Sequence, residues 1–245
     1  MQSLRRLTIF VFIHGSWHGG WCWTKLAPIL TEKGHTVFTP DLLAHGNDKT
    51  PISEVTLQSY VDLTCRIIDS QREPVYLIGH SRGGIVISQA AEERPDKIRR
   101  LVYLAAFMLR DGEPMIQWAV QDTDSLLLPN LAFSEDRSYH FIKNQSLIKE
   151  IFYGDCSDSD VEIAKSNLVP EPTAPIETPL HLSKNRYGRV AKTYIETLDD
   201  KAVSPMLQRK MYTAVGCSEV IRISTSHSPF FSKPDELAEI LMNLQ

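Results

Sequence analysis

The chain has 245 residues, of which 42% are hydrophobic and 23% are charged, and its formal net charge at pH 7 is −4. This composition is ordinary for a globular protein, and the length allows one large domain with a substantial core. The slightly acidic balance argues against a nucleic-acid-binding protein, and the apolar runs are too short to span a bilayer.

The first apolar run follows two arginines in the segment LRRLTIFVFIHG, residues 4–15. The run is short for the hydrophobic region of a signal peptide, and no small-x-small cleavage site follows it. Its β-branched and aromatic residues favour a buried strand instead. We therefore predict that residues 8–13 form the first strand of the fold.

Strands and helices alternate in the sequence on both sides of a central segment. The predicted strands are 8–13, 36–39, 75–78, 99–107, 189–200 and 219–227, and the predicted helices are 23–33, 57–70, 85–91, 204–215 and 232–244. Alternation of this kind predicts an α/β fold with a mostly parallel, doubly wound sheet that helices cover on both faces.

The alternation stops in residues 108–180, which contain no strong pattern of a buried strand. This segment holds the acidic run YGDCSDSDVEIAK and the proline-dense run VPEPTAPIETP. Ser159 and Glu162 have the spacing of a capping box, whereas DCSDSD lacks the glycine and the distal glutamate of a calcium-binding EF-hand loop. We predict a mainly helical cap (lid) at 108–180, inserted between core segments 1–107 and 181–245.

The sequence GHSRG, residues 79–83, lies between a predicted strand and a predicted helix. In isolation it could be an ordinary strand-to-helix turn. A G-x-S-x-G match in this context predicts a nucleophile elbow, in which the serine sits in a strained conformation at a helix N-terminus. Ser81 is therefore the candidate nucleophile.

A serine hydroxyl needs a base to accept its proton, and that base is usually a histidine held by a carboxylate. Three histidines follow Ser81 in the chain. His140 falls in the predicted cap and His181 lies beside a proline-rich turn, whereas His227 follows a predicted strand and precedes the last helix. We predict His227 as the base; the alternative is a loop histidine without a role.

The carboxylate should follow a neighbouring strand. Asp199 and Asp200 both come after TYIETL, and we favour Asp200 because it lies further beyond the strand. Asp111 and Glu113 also follow a strand, but we expect them to begin the cap.

Attack of the serine on a carbonyl places negative charge on oxygen, which fixed N–H groups must stabilise. We predict the backbone N–H of Arg82 and that of Ser16, in the loop after the first strand, as this oxyanion hole. His14 and His18 in the same loop are four residues apart, but glycines make a helix improbable and no third ligand is evident, so no metal site is predicted.

The side chain of Arg82 has two interpretations: it binds an anionic group of the substrate, or it pairs with an acid on the protein surface or in the cap. Trp17, Trp118 and Phe133 are candidate lining residues of an apolar substrate pocket, although each could equally be an ordinary packing residue. The four cysteines are scattered and form no C-x-x-C pair, so we expect free thiols and a cytoplasmic protein.

With these residues the chain resembles the α/β-hydrolase superfamily over nearly its full length. More narrowly, it is similar to the branch of plant methylesterases, hydroxynitrile lyases and bacterial pyrethroid esterases. The matching segments are HGSWHGGWCW (14–23), GHTVFTPDLLAHG (34–46), GHSRGG (79–84), LVYLAAFM (101–108) and YIETLDDKAVSP (194–205). The resemblance implies Ser81, Asp200 and His227 as a catalytic triad.

Within this branch, the lyases that resemble the chain carry threonine directly after the first-strand histidine and lysine directly after the catalytic histidine. This chain has Gly15 and Ser228 there, which favours an esterase. Arg82 departs from the leucine or methionine usual at its position, which leaves the substrate preference open. Relatives are often dimers, so a homodimer is an expectation from the resemblance.

We therefore expect a serine carboxylesterase without cofactor or metal, acting on small, largely apolar carboxylic esters through an acyl-enzyme. Its expected partner is the small-molecule ester, with no nucleic acid and no membrane. Two alternatives stay open: a lyase that cleaves a hydroxynitrile or a carbon–carbon bond, and a non-catalytic receptor for small molecules on a hydrolase fold.

Overall fold

A computed structural model describes residues 7–244, in which nine strands and ten α-helices are present. The strands are β1 (Ile9–Ile13), β2 (Thr36–Phe38), β3 (Val75–His80), β4 (Ile98–Leu104), β5 (Leu131–Phe133), β6 (Tyr139–Ile142), β7 (Glu171–Pro172), β8 (Ala191–Thr197) and β9 (Glu219–Ile223). The helices are α1 (Leu26–Glu32), α2 (Leu57–Asp69), α3 (Gly83–Glu93), α4 (Met115–Ala119), α5 (Ile148–Phe152), α6 (Asp158–Asn167), α7 (Ala174–Glu177), α8 (Pro205–Val215), α9 (Pro229–Ser232) and α10 (Pro234–Asn243). Arg5 and Arg6, the two arginines that precede the first apolar run, lie outside the described residues.

Six strands form one parallel sheet in the order β2-β1-β3-β4-β8-β9. The order places β3 beside β1, so that Ile13 is in register with Gly79. The carboxyl ends of β1, β3, β8 and β9 therefore lie along one edge of the sheet. Active sites of open α/β sheets form at this edge. The predicted parallel α/β core is confirmed.

The side chains of each strand alternate between two hydrophobic clusters, one on each face of the sheet. In β1, Val11 and Ile13 belong to one cluster while Phe10 and Phe12 belong to the other. The first cluster is covered by α2, α3 and α8, and the second by α1 and α10. A sheet that is buried on both faces holds the residues at its carboxyl edge in fixed positions.

The segment between β4 and β8 contains four short helices, α4 to α7, and also an antiparallel sheet in the order β5-β6-β7. This sheet is not predicted from the sequence, because its strands are only two to four residues long. The predicted capping box is wrong by two residues: α6 is capped by Ser157, whose hydroxyl accepts a hydrogen bond from Asp160 N.

Within residues 7–244, no helix has the length and apolar character of a membrane span. All four cysteines, Cys22, Cys65, Cys156 and Cys217, are free.

Candidate active site

Ser81 occupies the turn between β3 and α3, in the left-handed backbone region with φ of 53°. This region is uncommon for residues other than glycine. Two hydrogen bonds hold the turn in place: Ser81 N donates to Leu104 O at 3.2 Å, and Phe107 N donates to Ser81 O at 3.0 Å. The predicted strained strand–turn–helix geometry is thus present, and the turn is held by the last residue of β4 and by the segment just after it.

The flanking glycines are required by close contacts between backbones. A Cβ at Gly79 would lie 2.7 Å from Gly83 O, and a Cβ at Gly83 would lie 2.6 Å from Ile13 O. Neither position can hold a side chain unless the backbone shifts. The pattern G-x-S-x-G is therefore imposed by packing, as well as by the conformation of the serine itself.

His227 lies in the loop between β9 and α9, where its Nδ1 donates to Asp200 Oδ2 at 2.7 Å. Asp200 is 2% exposed, and its Oδ1 accepts hydrogen bonds from Ala202 N and Val203 N. Asp199 is exposed and does not share this contact. Of the two aspartates weighed in the sequence, the structure brings Asp200 to His227.

The other candidate groups are engaged elsewhere. His181 is exposed, and its N–H donates to Gln89. Asp111 accepts a hydrogen bond from Leu182 N at 2.8 Å, and Glu113 pairs with Arg110. His140 lies in β6 with its side chain buried. None of these four residues hydrogen-bonds to His227 among the contacts of the described chain.

His80 connects the Ser81 turn to the His227 loop. Its Nε2 donates to His227 O at 2.9 Å, and the two imidazole rings are 4.5 Å apart between centroids. Burial, reinforced by the neighbouring histidines, lowers the pKa of His80 well below its ordinary value, so the ring is neutral at pH 7. In the described part of the chain, no hydrogen bond engages the Ser81 hydroxyl, which faces a pocket.

The loop after β1 lies against the Ser81 turn. A Cβ at Gly15 would be 2.8 Å from Ser81 Cβ, so glycine allows this approach. The backbone N–H groups of Ser16 and Arg82 donate no hydrogen bond to any other described residue. The side-chain Oγ of Ser16 is also buried without a partner. These unpaired donors lie beside the serine, where negative charge would develop during acyl transfer.

The two histidines of this loop serve its backbone. His14 Nδ1 donates to Gly15 O while its Nε2 accepts from Leu42 N, which fixes one neutral tautomer. His18 Nδ1 donates to Ser16 O at 2.7 Å. Burial lowers the pKa of His18 to about 4. Within residues 7–244, no group of three or more His, Cys, Asp or Glu side chains is arranged to hold a metal ion.

The guanidinium of Arg82 is fully buried and pairs with an acid of the cap. Its Nε lies 2.8 Å from Glu171 Oε1, and its Nη2 donates to Gly15 O at 3.1 Å. The guanidinium carbon also lies 4.7 Å from the centre of the Tyr60 ring. Of the two interpretations from the sequence, the structure matches pairing with a cap acid, and the charge of Arg82 is already matched within the protein.

Glu171 joins the cap to three parts of the core. Besides Arg82, it accepts a hydrogen bond from Trp17 N at 2.8 Å and contacts His45 Nε2 at 2.8 Å. Burial opposes its ionisation, but Arg82 and His45 outweigh this effect and lower its pKa to about 2. Glu171 is therefore a buried carboxylate that stays ionised at neutral pH.

A pocket opens beside Ser81 and is mostly apolar. Its lining residues are Ser16, Trp17, Ser81, Phe107, Met115, Ile116, Ala119, Asp122, Ser125, Leu127, Leu128, Leu131, His140, Ile176, Ala202 and Leu207. Of the three predicted lining residues, only Trp17 is among them. Trp118 instead donates its Nε1 to Glu113, and Phe133 packs against Arg137 and His140.

Sequence reasoning did not identify Glu171, His80, His45 or the cap residues of the pocket. Glu171 lies in a proline-dense stretch that reads as a surface connection. The one signal was Arg82 itself, whose charge beside a nucleophile required a buried counter-charge or a substrate anion. His80 carried no signal, since a histidine within a strand is usually an ordinary packing residue.

Comparison with known proteins shows the family to which the chain belongs. Residues 10–240 match the model of the alpha/beta hydrolase family. The chain is 33% identical to methylesterase 7 of Arabidopsis thaliana over 96% of its own length and 95% of that protein. It is 31% identical to salicylic acid-binding protein 2 of Nicotiana tabacum, with 96% of each chain covered. Five other Arabidopsis relatives are named as chloroplastic, and the cytoplasmic assignment stays a prediction.

Solved structures give the same result. Polyneuridine aldehyde esterase superposes with a TM-score of 0.89 at 27% identity, covering 97% of this chain and 99% of that one. A pyrethroid hydrolase from Sphingobium faniae JZ-2 superposes with a TM-score of 0.86 at 26% identity, covering 96% of each chain. The chain is therefore a member of the alpha/beta hydrolase family, in the branch of carboxylic ester hydrolases to which these relatives belong.

Proposed function

We propose that this protein is a serine carboxylesterase that hydrolyses small, largely apolar carboxylic esters through an acyl-enzyme. The observation that carries the proposal is the convergence of three features at one edge of the sheet. These are Ser81 at a strained turn, His227 held by Asp200, and the unpaired N–H groups of Ser16 and Arg82. The names of the relatives, methylesterase and pyrethroid hydrolase, support an ester as substrate.

In this mechanism, His227 Nε2 takes the proton of the Ser81 hydroxyl as Oγ attacks the ester carbonyl carbon. The carbonyl oxygen becomes negative and accepts hydrogen bonds from the N–H groups of Ser16 and Arg82. The C–O bond to the alcohol then breaks, and His227 gives its proton to the departing oxygen. Asp200 holds the ring through Nδ1 and stabilises its charged form.

A water molecule then repeats the sequence on the acyl-enzyme. His227 accepts a proton from the water as its oxygen attacks the acyl carbon, and the second tetrahedral intermediate uses the same two N–H donors. The bond to Ser81 breaks, Oγ regains its proton from His227, and the carboxylic acid leaves. Besides the ester and this water, the two halves of the mechanism use the same groups of the chain.

The lining of the pocket supports an apolar substrate. Ten of the lining residues carry aliphatic, methionine or phenylalanine side chains. The carboxylate of Asp122 is the one acidic group among them, and it is occupied by the N–H and hydroxyl of Ser204. A substrate with an unpaired charge would lose its hydration here without gaining a partner.

The test is hydrolysis of p-nitrophenyl butyrate by the wild type, by Ser81→Ala and by the control Ser166→Ala, an exposed serine at the end of α6. We expect turnover by the wild type and the control, and a loss of about 10³-fold or more in kcat for Ser81→Ala. A fluorophosphonate should add one covalent group to the wild type and none to Ser81→Ala, as measured by intact mass.

A folded wild type with no turnover on a series of short-chain esters would contradict the proposal. Release of an aldehyde or ketone without consumption of water would indicate the lyase. Tight binding of an intact small molecule without reaction would indicate a receptor. Equal turnover by Ser81→Ala would exclude Ser81 as the nucleophile while leaving an esterase.

A further inference from the structure

The Arg82 side chain contacts the same loop that supplies the other candidate oxyanion donor. Its Nη2 donates to Gly15 O, the carbonyl of the peptide whose N–H belongs to Ser16. In a trans peptide the C=O and N–H bonds point in opposite directions. A hydrogen bond that fixes the direction of Gly15 C=O therefore also fixes the direction of Ser16 N–H.

The contact between Arg82 and Gly15 lies in buried surroundings, next to an ion pair with Glu171. Arg82 and Glu171 are both completely buried, and Nε of Arg82 lies 2.8 Å from Glu171 Oε1. The planar guanidinium can then direct Nη2 at Gly15 O with little freedom to rotate. Gly15 O accepts a second hydrogen bond from His14 Nδ1 at 2.9 Å, so the peptide is held from two sides.

Glu171 acts on the next peptide of the loop. It accepts a hydrogen bond from Trp17 N, and Trp17 adopts a left-handed conformation with φ of 62°. A tryptophan in this region is strained, and an ionic hydrogen bond to its N–H helps to maintain it. The same cap residue thus holds Arg82 on one side and the Ser16–Trp17 turn on the other.

We propose that Arg82 is a positioning residue with two functions in the oxyanion hole: its backbone N–H is one donor, and its guanidinium, locked by Glu171 of the cap, orients the Gly15–Ser16 peptide that carries the other. The inference rests on the proposed esterase function. It assigns a role to a side chain that the substrate does not touch, and it makes the oxyanion hole depend on the seating of the cap.

The test compares the wild type with Arg82→Met and with the double variant Arg82→Met/Glu171→Gln. In the double variant, glutamine at position 171 leaves no buried, unpaired carboxylate and still offers an oxygen to Trp17 N–H. The inference can therefore be tested with the double variant if the single variant fails to fold. The control is Arg94→Met, which removes an exposed ion pair to Asp69 at the other end of α3. The kinetic measurements are kcat and KM on p-nitrophenyl butyrate, and the affinity for a trifluoromethyl ketone that forms a tetrahedral adduct with a serine. The crystal structure of the double variant is also determined.

We expect kcat of the folded Arg82 variants to fall about 10- to 100-fold, while KM stays within about threefold of the wild-type value. This loss is smaller than the roughly 10²–10³-fold loss for deleting an oxyanion donor. It is smaller because His14 still binds Gly15 O. Affinity for the trifluoromethyl ketone should fall by a similar factor, and the structure should show a turned or disordered Gly15–Ser16 peptide. Arg94→Met should behave as the wild type.

A double variant with wild-type kcat, or with an unchanged Gly15–Ser16 peptide in its crystal structure, would overturn the inference. A wild type that hydrolyses no ester would instead refute the proposed function. In that case the orientation of the peptide in the double variant still decides whether Arg82 holds it.

Discussion

At the residue scale, the best-supported group of the candidate site is the carboxylate of Asp200. Its Oδ2 accepts hydrogen bonds from His227 Nδ1 and Thr197 Oγ1, and its Oδ1 accepts two from backbone N–H groups. All four of these donors point at oxygen atoms of the Asp200 side chain. Because these contacts hold the carboxylate in one orientation, they also hold the tautomer of His227 that leaves Nε2 free to accept a proton.

Replacing Asp200 with asparagine should lower kcat by a factor on the order of 10⁴, because the amide NH₂ would oppose Nδ1–H and favour the wrong tautomer of His227. The neighbouring Asp199→Asn is the matched control, since that side chain is exposed. Both variants are measured on p-nitrophenyl butyrate after their folding is checked by circular dichroism. Comparable losses in the two variants would contradict the assignment of Asp200.

At the scale of elements, the contact of interest joins strand β7 of the cap to the N-terminus of helix α3. Glu171 of β7 pairs in register with His140 of β6, and His140 lines the pocket. The side chain of Glu171 contacts Arg82. Removing one partner of a buried ion pair leaves the charge of the other partner uncompensated in a medium of low polarity. The cap is therefore attached to the core by a contact whose separation costs a large free energy.

Arg82→Met alone should lower the free energy of unfolding by about 3–5 kcal/mol, because the carboxylate of Glu171 would remain buried without the guanidinium that pairs with it. Adding Glu171→Gln should restore much of this loss. Arg94→Met should cost no more than about 1 kcal/mol, as is usual for an exposed pair. Urea denaturation measures all three, and a double variant less stable than the single one would show that the unpaired charge is not the cause.

Structural elements that depend on neighbouring residues in the sequence were predictable. Elements that form only through contacts between distant parts of the chain were not. The alternation of strands and helices and the glycines around Ser81 depend on neighbours within a few residues. Strands β5 to β7 are too short for a periodic pattern, and they exist because they pair with each other. The position of Glu171 depends on Arg82, some 90 residues earlier, so composition alone indicated only a proline-rich loop.

The site residues divide in the same way. Asp200 is favoured over Asp199 in the sequence because it lies further beyond the strand that ends in TYIETL, and this local signal was sufficient. Trp118 and Phe133 are predicted to line an apolar pocket under the cap, but neither is among the lining residues, because each packs against other residues instead. Which aromatic residues face a cavity depends on the tertiary packing of the whole segment, for which the sequence carries no short-range signal.

At the scale of the whole molecule, the core contains several histidines that stay neutral. Burial, the largest cause for each, lowers the pKa of His18 and of His140 to about 4, and those of His14 and His80 well below the ordinary value of 6.5. In the unfolded chain these rings take up protons near pH 6.5, whereas in the folded chain His18 and His140 resist protonation until about pH 4, and His14 and His80 also stay neutral well below pH 6.5. The unfolded state thus binds more protons in this interval, so stability falls as the pH is lowered through it.

The contribution of one such histidine can be measured with His140→Phe. Between pH 6 and pH 4.5, the free energy of unfolding of the wild type should fall more steeply than that of the variant, by up to about 1.4 kcal/mol per pH unit. His181→Gln, at an exposed position, is the control and should follow the wild type. Parallel curves for wild type and His140→Phe would show that His140 does not titrate differently in the two states.

The buried Arg82–Glu171 pair also bears on how this chain can be recombined with its relatives. A cap transplanted without a carboxylate at position 171 would leave Arg82 charged and alone inside the core, and Trp17 N–H without its acceptor. A core with leucine or methionine at position 82 would leave a transplanted Glu171 in the same situation. Residues 82 and 171 therefore have to be exchanged together. Chimeras that exchange both residues should fold, whereas chimeras that exchange only one of them should not.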